Sequence, residues 1–419
     1  MQTPPQPLPQ MFERSLGGLR DELLGLMGPT RPVSREKFLA TRRPAKRAIY
    51  KEAIESLGLC QLMRRDSYVS TFVKCEKINF TLKTDPAPRV IQPRTPRYNV
   101  EVGRYISLIE EDYYHALDTM WGHKTVMKGY NVEQVGEAIS EAWEDFEDPV
   151  AVGIDAERFD QHVSVPALEF EHSIYLGSLS GHDKRKLARL LSWQLTNIGY
   201  GRVRDGFIKY VKKGSRMSGD MNTALGNVLL MCLMMLYFSR VRSIRMRLIN
   251  NGDDCVCIMN RKDLNKFSDG LREFFLDFGF SLKVEPPVYK LEHIEFCQMH
   301  PVWTERGFVM VRNARVAMAK DAIIPRYEVA TTVQKWLYLV GSAGRALASG
   351  IPIHQAYYEC FTRNGVKGAR MTSFEDNEGF FRLAKGLTAQ HHPVHPRTRC
   401  SYWLAFGIEP DMQVALEEV

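Results

Sequence analysis

Four aspartates in two separate stretches are the residues of this chain best suited to metal-assisted chemistry. Asp155 and Asp160 lie in GIDAERFD, whereas Asp253 and Asp254 lie in NNGDDCV. Carboxylates that converge in a partly buried place repel one another unless divalent cations neutralise them. Such oxygen ligands suit Mg²⁺ or Mn²⁺, and two ions about 4 Å apart support in-line phosphoryl transfer.

The stretch RLINNGDDCVCIMN, residues 247–260, also fits an ordinary hairpin. Asn251-Gly252 tolerates the positive φ angles of a tight turn and has apolar residues on both sides. A GDD tripeptide alone is more often a surface turn than a metal site. The two interpretations are compatible, because such a turn presents Asp253 and Asp254 at the rim of a sheet. If the hairpin pairs with the strand before Asp155, we expect Asp155 and Asp253 to lie side by side.

A third polar stretch, SGDMNTALGN, stands between these two. Gly219 permits a loop after Ser218, and Thr223 and Asn227 share a face of the following helix because they are four residues apart. Asn227 interrupts an apolar run, and a buried asparagine needs a hydrogen-bond partner. We expect that partner to be Asp160. Helix capping by Ser218 or Asp220 is the plainer alternative for the start of this stretch.

The elements that must position these residues alternate between strands and helices. The order strand, helix, hairpin, helix, strand over residues 150–305 predicts an α+β fold with helices on one face of an antiparallel sheet. The longest apolar run, Val228–Phe238, is about half of the ~20 residues that a bilayer span needs. It therefore predicts a buried helix, and we expect no transmembrane segment in this sequence.

Composition indicates a globular chain with a basic N-terminal part. The 419 residues carry a net charge of +7, and residues 31–104 contain 17 Lys/Arg against 7 Asp/Glu. That surplus suits a polyanion, although a solvated basic face explains it equally well. The eight cysteines form no CxxC pair, so reduced thiols are expected.

At its motifs the sequence resembles the RNA-dependent RNA polymerases of positive-strand RNA viruses, specifically the tombusvirus family. EKINFTLKTDPAPRVIQPRTPRYNVEVGRY is similar to that family's fingers motif, and FDQHVS follows the first palm motif. SGDMNTALGN and NNGDDCV resemble the second and third palm motifs. The similarity extends from about Phe72 to Cys297 in the expected order and spacing.

The resemblance implies a right-hand polymerase with fingers, palm and thumb. It divides the chain into a flexible Pro-rich tail at 1–20, an N-terminal extension and fingers at 21–149, palm at 150–165, fingers at 166–214, palm at 215–305 and thumb at 306–419. The implied activity is RNA-templated RNA synthesis from ribonucleoside triphosphates with two Mg²⁺ or Mn²⁺ ions.

The resemblance also implies roles for individual residues. Asp155 and Asp253 are the principal metal ligands, and Asp254 assists. The other roles fall into two groups: recognition of the incoming ribose by Asp160, Ser218, Thr223 and Asn227, and handling of the triphosphate and its entry path by Arg89, Lys74, Lys77 and Lys83. A planar guanidinium such as that of Arg89 can bind phosphate oxygens through two hydrogen bonds.

Two further roles are less specific. A general acid for the departing pyrophosphate is expected after the hairpin, and both Lys283 and Lys290 qualify, with a surface lysine as the alternative for each. Phe296 and Cys297 resemble a primer-gripping hairpin, although an ordinary core strand explains them almost as well. Asp160 favours ribonucleotides, because a carboxylate can accept a hydrogen bond from a 2′-hydroxyl network. Reverse transcriptases with a similar palm usually carry a bulky aromatic residue there.

Two other classes of protein remain as alternatives. A basic RNA-binding or capsid-type protein explains the charge but not four ordered acids, and a two-metal nuclease has no use for a ribose-sensing group. The polymerase reading implies an RNA template and nascent strand, nucleoside triphosphates, and a location in the host cytoplasm. Full replicases of the family carry an upstream membrane-associated region, so a membrane-associated viral or host partner is expected to recruit this chain to membrane-bound replication complexes.

Overall fold

The computed structural model describes residues 3–77, 86–324, 330–367 and 383–418. Its helices are α1 Met11–Met27, α2 Arg35–Ala40, α3 Pro44–Leu59, α4 Pro96–Ile106, α5 Glu110–Trp121, α6 Val132–Glu144, α7 Phe159–His162, α8 Val165–Gly177, α9 Gly181–Ser192, α10 Thr223–Arg242, α11 Leu264–Ser268, α12 Leu271–Asp277, α13 Ala314–Asp321, α14 Ala330–Leu347, α15 His354–Arg363, α16 Pro396–Phe406 and α17 Pro410–Glu418. Its strands are β1 Val69–Val73, β2 Val90–Ile91, β3 Pro149–Ala156, β4 Thr196–Val203, β5 Gly206–Lys213, β6 Met246–Asn250, β7 Asp254–Asn260, β8 Leu282–Val284, β9 Met299–Thr304 and β10 Gly307–Arg312.

A four-stranded antiparallel sheet with the order β6-β7-β3-β8 carries the acidic motifs. Its strands are separated along the chain by helices α7 to α10 and by α11 and α12. The mixed helix and sheet architecture confirms the predicted α+β class, and the order of elements is the one expected from the sequence.

Helices do not cover only one face of this sheet, so that expectation was wrong. Val150, Val152 and Ile154 on β3 pack into the large core that contains α10. On the opposite face, Ala151 and its neighbours on β6 and β7 pack against α6 and the β9–β10 hairpin. The reason lies in β7, whose interior residues Cys255–Met259 are all buried and therefore need cover on both sides.

Helix α10 is the central element of the large core. Its interior residues from Leu225 to Leu236 are buried on every side, as the apolar run predicted. By length and composition it is also the one helix in the described parts of the chain that could cross a membrane. Its burial inside the protein is instead that of a core helix.

Two smaller units flank the acidic sheet. A second sheet has the order β2-β1-β4-β5, in which β1 runs parallel to β4. The C-terminal helices enclose a separate core around Trp336, Tyr358 and Tyr402. All eight cysteines are free thiols.

The expected flexible tail at 1–20 was wrong for its second half. Helix α1 begins at Met11, and its buried Phe12, Leu16 and Leu23 belong to the large core. Just before the helix, the backbone N–H of Leu8 donates to the carbonyl oxygen of Asp277 at 2.8 Å. Prolines dominate only the first nine residues, and the apolar periodicity that follows them builds a helix.

Candidate active site

The hairpin between β6 and β7 is a tight turn with glycine at its first central position. The N–H of Asn251 donates to the carbonyl oxygen of Asp254 at 2.9 Å, which leaves Gly252 and Asp253 in the centre. Gly252 has a φ of 94°, whereas Asn251 is not in the positive-φ region. The predicted turn is confirmed, but its centre lies one residue later than Asn251-Gly252 because only glycine takes the positive φ.

Asn250, which the sequence did not single out, stabilises this turn through its side chain. Its side chain is fully buried. The side-chain Nδ2 donates to the carbonyl oxygen of Gly252 at 2.7 Å, and Oδ1 accepts from the N–H of Gly252 at 3.0 Å. The signal in the sequence was a polar residue at the end of an apolar strand.

Three carboxylates meet at the rim of the sheet formed by this turn. In the pairing of β3 with β7, Asp155 lies opposite Asp254, and Asp253 lies close enough to Asp155 for their charges to interact, as expected. Asp253 projects from the turn itself. Burial raises the pKa of Asp253, and the charge of Asp155 raises it further. Burial also raises the pKa of Asp254 to about 6, with Asp253 and Asp155 adding to the effect.

The donor set fits a divalent cation, although the carboxylates do not enclose one by themselves. All three side chains offer hard oxygen ligands, and the raised pKa values of Asp253 and Asp254 mark a place that favours added positive charge. Within the described residues, no group of three or more His, Cys, Asp or Glu side chains is arranged to hold an ion. An ion here would therefore also need water or substrate oxygens as ligands.

Asp160 and Asn227 form the contact that the sequence predicted. Asn227 Nδ2 donates to Asp160 Oδ1 at 3.0 Å, which confirms the partner expected for this buried asparagine. Burial raises the pKa of Asp160, while Asn227 and the nearby charge of Arg216 lower it. Asn227 Oδ1 is buried and accepts no hydrogen bond from any described residue. One acceptor therefore remains available beside Asp160.

Ser218 and Thr223 make no hydrogen bond to that pair. Ser218 Oγ accepts the backbone N–H of Gln92 at 3.0 Å, so it joins the loop to the segment that follows Arg89. Thr223 Oγ1 donates to the carbonyl oxygen of Met217 at 3.0 Å and closes the loop on itself. The structure thus places Thr223 as a support and Ser218 as a link between two segments.

Two of the side chains predicted to bind phosphate, Arg89 and Lys74, are paired with Glu76. Arg89 donates from Nε and Nη2 to the two carboxylate oxygens of Glu76 at 2.8 and 2.7 Å, and Lys74 Nζ lies 3.4 Å from the same side chain. Lys77 Nζ donates to the carbonyl oxygen of Lys320 at 2.7 Å and lies over the ring of Trp336. Lys83 falls outside the described residues.

Of the two lysines proposed as general acid, Lys283 lies beside the carboxylates. It is the pairing partner of Asp155 between β3 and β8, and its exposed Nζ lies 3.8 Å from Glu285 Oε1. Lys290 lies beyond that strand, at the start of a short turn of helix, and is also exposed.

The predicted primer-gripping residues have separate positions. Phe296 is 1% exposed and packs in the core, so its side chain cannot reach an RNA strand, and the core-strand alternative describes it better. Cys297 begins a tight turn and donates its backbone N–H to Asp254 Oδ2 at 2.9 Å. Its Sγ accepts from Asn251 Nδ2 at 3.0 Å. The contacts of Cys297 therefore stabilise the GDD hairpin and do not form an open binding surface.

A buried ion pair between Arg216 and Glu171 was missed from the sequence. Both side chains are fully buried, and the backbone N–H of Arg216 donates to the carbonyl oxygen of Asp160 at 2.7 Å. Glu171 also accepts from Asn222 Nδ2 at 2.7 Å. The pair ties α8 to the loop that precedes α10, but two charged residues 45 positions apart give no local signal of their contact.

Comparison with known proteins identifies the family. A family model described as viral RNA dependent RNA polymerase matches residues 1–419. The chain belongs to this viral polymerase family. Curated relatives named RNA-directed RNA polymerase include those of Turnip crinkle virus (45% identical over 420 residues, 99% of this chain and 53% of the relative), Carnation mottle virus (45% over 416 residues, 99% and 54%) and Cucumber necrosis virus (44% over 417 residues, 99% and 50%).

These matches confirm the resemblance to tombusvirus-family polymerases. They extend beyond residues 72–297, where the recognised motifs lie, because the shared sequence runs along nearly the entire chain. The chain spans about half the length of the curated polymerases it matches.

Proposed function

We propose that this chain performs RNA-templated RNA synthesis and thereby replicates a positive-strand RNA virus genome. The observation that carries the proposal is the meeting of Asp155, Asp253 and Asp254 at one rim of the sheet, close to the Asp160–Asn227 pair. Membership of the viral polymerase family supports the same activity.

Asp155, Asp253 and Asp254 would hold two Mg²⁺ or Mn²⁺ ions. When bound, such ions lower the pKa of an attacking 3′-hydroxyl and stabilise the departing pyrophosphate. Lys283, the neighbour of Asp155 on β8, would donate a proton to that pyrophosphate. Its position favours it over Lys290.

The remaining residues would bind and orient the nucleotide. Asp160 and the unused acceptor Asn227 Oδ1 suit the 2′-hydroxyl of a ribose, with Thr223 supporting the loop. Arg89 and Lys74 would bind the triphosphate in place of Glu76, which occupies them here. Lys77 and Lys83 complete the proposed entry path by resemblance alone.

We also propose the right-hand layout for these elements. The acidic sheet and α10 would form the palm, and the β2-β1-β4-β5 sheet with the N-terminal helices would form the fingers. The helices after β10 would form the thumb. The template and nascent strand would pass over the acidic rim. A location in the host cytoplasm, with recruitment to membrane-bound complexes by a viral or host partner, is proposed from the resemblance.

The test is templated incorporation of labelled nucleotides into RNA with Mg²⁺ or Mn²⁺. Asp253→Ala should abolish incorporation while RNA binding persists, because the substitution removes a metal ligand and no basic side chain. Asp269→Ala, which removes an exposed carboxylate paired only loosely with Arg242, is the matched control and should retain incorporation.

Three outcomes would contradict the proposal. Incorporation that survives Asp253→Ala would contradict the metal assignment. RNA binding without any synthesis by the wild type would favour a basic RNA-binding or capsid-type protein. Degradation of labelled RNA without synthesis would favour a two-metal nuclease.

A further inference from the structure

Two segments with different proposed roles run against each other. One is the arginine segment, residues 89–94, and the other is the serine loop, residues 217–223. The N–H of Gln92 donates to Ser218 Oγ at 3.0 Å, and Pro93 forms a parallel bridge with Gly219. A Cβ on Gly219 would lie 2.4 Å from the Cα of Pro93, so only glycine allows this approach.

A buried ion pair joins the same two segments. The side chains of Arg94 and Asp220 are 0% and 2% exposed, and the guanidinium donates to both carboxylate oxygens of Asp220. Arg94 also donates to Asn197 Oδ1 and to the carbonyl oxygen of Ser67, each at 2.6 Å. The guanidinium thus fixes the end of the arginine segment to β4 and to the approach to β1.

Asp220 fixes the serine loop in turn. One of its oxygens accepts the N–H of Met217 at 3.4 Å, across the base of the loop. Buried charges tolerate little displacement, because a partner that moves away leaves the other charge uncompensated. A shift of either segment is therefore transmitted to the other.

We propose that Arg94 and Asp220 are positioning residues that couple the grip on the triphosphate to the choice of ribose. Arg89 begins the arginine segment, and the serine loop leads into the helix that carries Asn227. The inference rests on the proposed function, because it uses the roles given there to Arg89 and to the Asp160–Asn227 pair. Because the ion pair joins the two segments, each residue should affect the property assigned to the opposite segment.

In the experiment, a variant in one segment is tested for its effect on the ligand group that is assigned to the other segment. Arg94→Lys, in the arginine segment, should reduce the preference for ribonucleoside over 2′-deoxyribonucleoside triphosphates about tenfold. Asp220→Asn, in the serine loop, should weaken inhibition by inorganic pyrophosphate about tenfold, although pyrophosphate has no ribose. Both substitutions nearly keep the size of the side chain.

Arg97→Lys is the matched control, because Arg97 pairs with Asp66 at 3.1 Å and with Ser56 but contacts neither Asp220 nor the serine loop. It should leave both readouts unchanged, and thermal unfolding of all variants separates lost stability from lost coupling. Variants that melt earlier yet keep wild-type ribose preference and pyrophosphate inhibition would overturn the proposal, since the ion pair would then serve folding alone.

Arg89→Ala distinguishes this inference from the proposed function. If Arg89→Ala weakens pyrophosphate inhibition and Asp220→Asn does not, the coupling is wrong and the role of Arg89 stands. If Arg89→Ala has no effect on pyrophosphate inhibition, the proposed role of Arg89 is wrong, and the coupling falls with it.

Discussion

At the scale of single residues, the buried position of Asp254 disfavours its charged form, which is the form that a cation would bind. Burial raises its pKa to about 6, although the N–H of Cys297 donates to the carboxylate and stabilises its charge. A cation that binds the rim must find Asp254 ionised. Asp254 therefore becomes ionised, and able to take a cation, only close to neutral pH.

This raised pKa predicts a pH-dependent requirement for Mg²⁺. Because the proton and the ion compete for Asp254, the Mg²⁺ concentration at half-maximal synthesis should be steady above pH 7. Below pH 6 it should rise, by about tenfold for each further pH unit. The measurement is Mg²⁺ titration of incorporation between pH 5 and pH 8, with template affinity as the control. A half-maximal concentration that stays constant down to pH 5 would contradict the role of Asp254.

Asp160 should control the choice of sugar. Asp160→Ala removes the charged acceptor that holds Asn227, and hydrogen bonds to charged groups contribute about 1.5–3 kcal/mol. The preference for ribonucleotides over deoxyribonucleotides should therefore fall by at least about tenfold. Incorporation of both nucleotide types is compared with that of Asp269→Ala. An unchanged preference would refute the assignment.

At the scale of elements, the hairpin depends on a residue that never reaches the surface. Asn250→Leu removes both hydrogen bonds to Gly252 and leaves buried backbone groups without partners. The free energy of unfolding should fall by about 2 kcal/mol, and the Mg²⁺ requirement should rise as the acids lose their position. Asn260→Leu, at the far end of β7, is the control in the same denaturant titrations. Equal effects of the two substitutions would argue against a specific brace.

Pairing of the strands could be predicted, but the details of their contacts could not. Short apolar runs indicated β3 and the hairpin, and the acids at their ends implied a common rim. The β3–β7 register, which pairs Asp155 with Asp254, and the centre of the turn at Gly252 could not be predicted from these patterns. The Arg94–Asp220 pair joins residues 126 apart, and only the folded chain brings such residues together.

At the scale of the whole molecule, the C-terminal core has its own sensitivity to acid. His354 lies buried there beside Tyr402, and burial lowers its pKa to about 4. The unfolded chain therefore binds a proton more readily than the folded one between pH 6.5 and pH 4. Stability from this group is complete above pH 6.5 and is lost as the pH falls toward 4, by about 3 kcal/mol in total.

Replacement of His354 tests this dependence. His354→Phe should flatten the fall in unfolding free energy between pH 6.5 and pH 4, whereas His391→Phe, at an exposed histidine, should not. Chemical denaturation at several pH values measures both slopes. The same slope in wild type and His354→Phe would place the acid sensitivity elsewhere.

The α+β class could be predicted from the order of the motifs, but the elements that pack on each face of the acidic sheet could not. Helix α6 looks like any amphipathic surface helix in the sequence, and its apolar face fits equally well against several partners. Only the complete burial of β7 requires a second layer there. The helical texture after the prolines was visible in the sequence, but a division that extended the tail to residue 20 cut into the helix that begins at Met11.

The close backbone contact between Gly219 and Pro93 has a consequence for related sequences. Every other residue adds a Cβ, and that atom would overlap backbone, which no single exchange of a neighbouring side chain can relieve. A lineage that keeps this architecture thus has no neutral mutation at position 219. Conversely, a homologue with alanine or serine at this position would signal that its two segments have moved apart. In a homologue without a structure, the residue at position 219 would therefore indicate how closely the arginine segment and the serine loop pack.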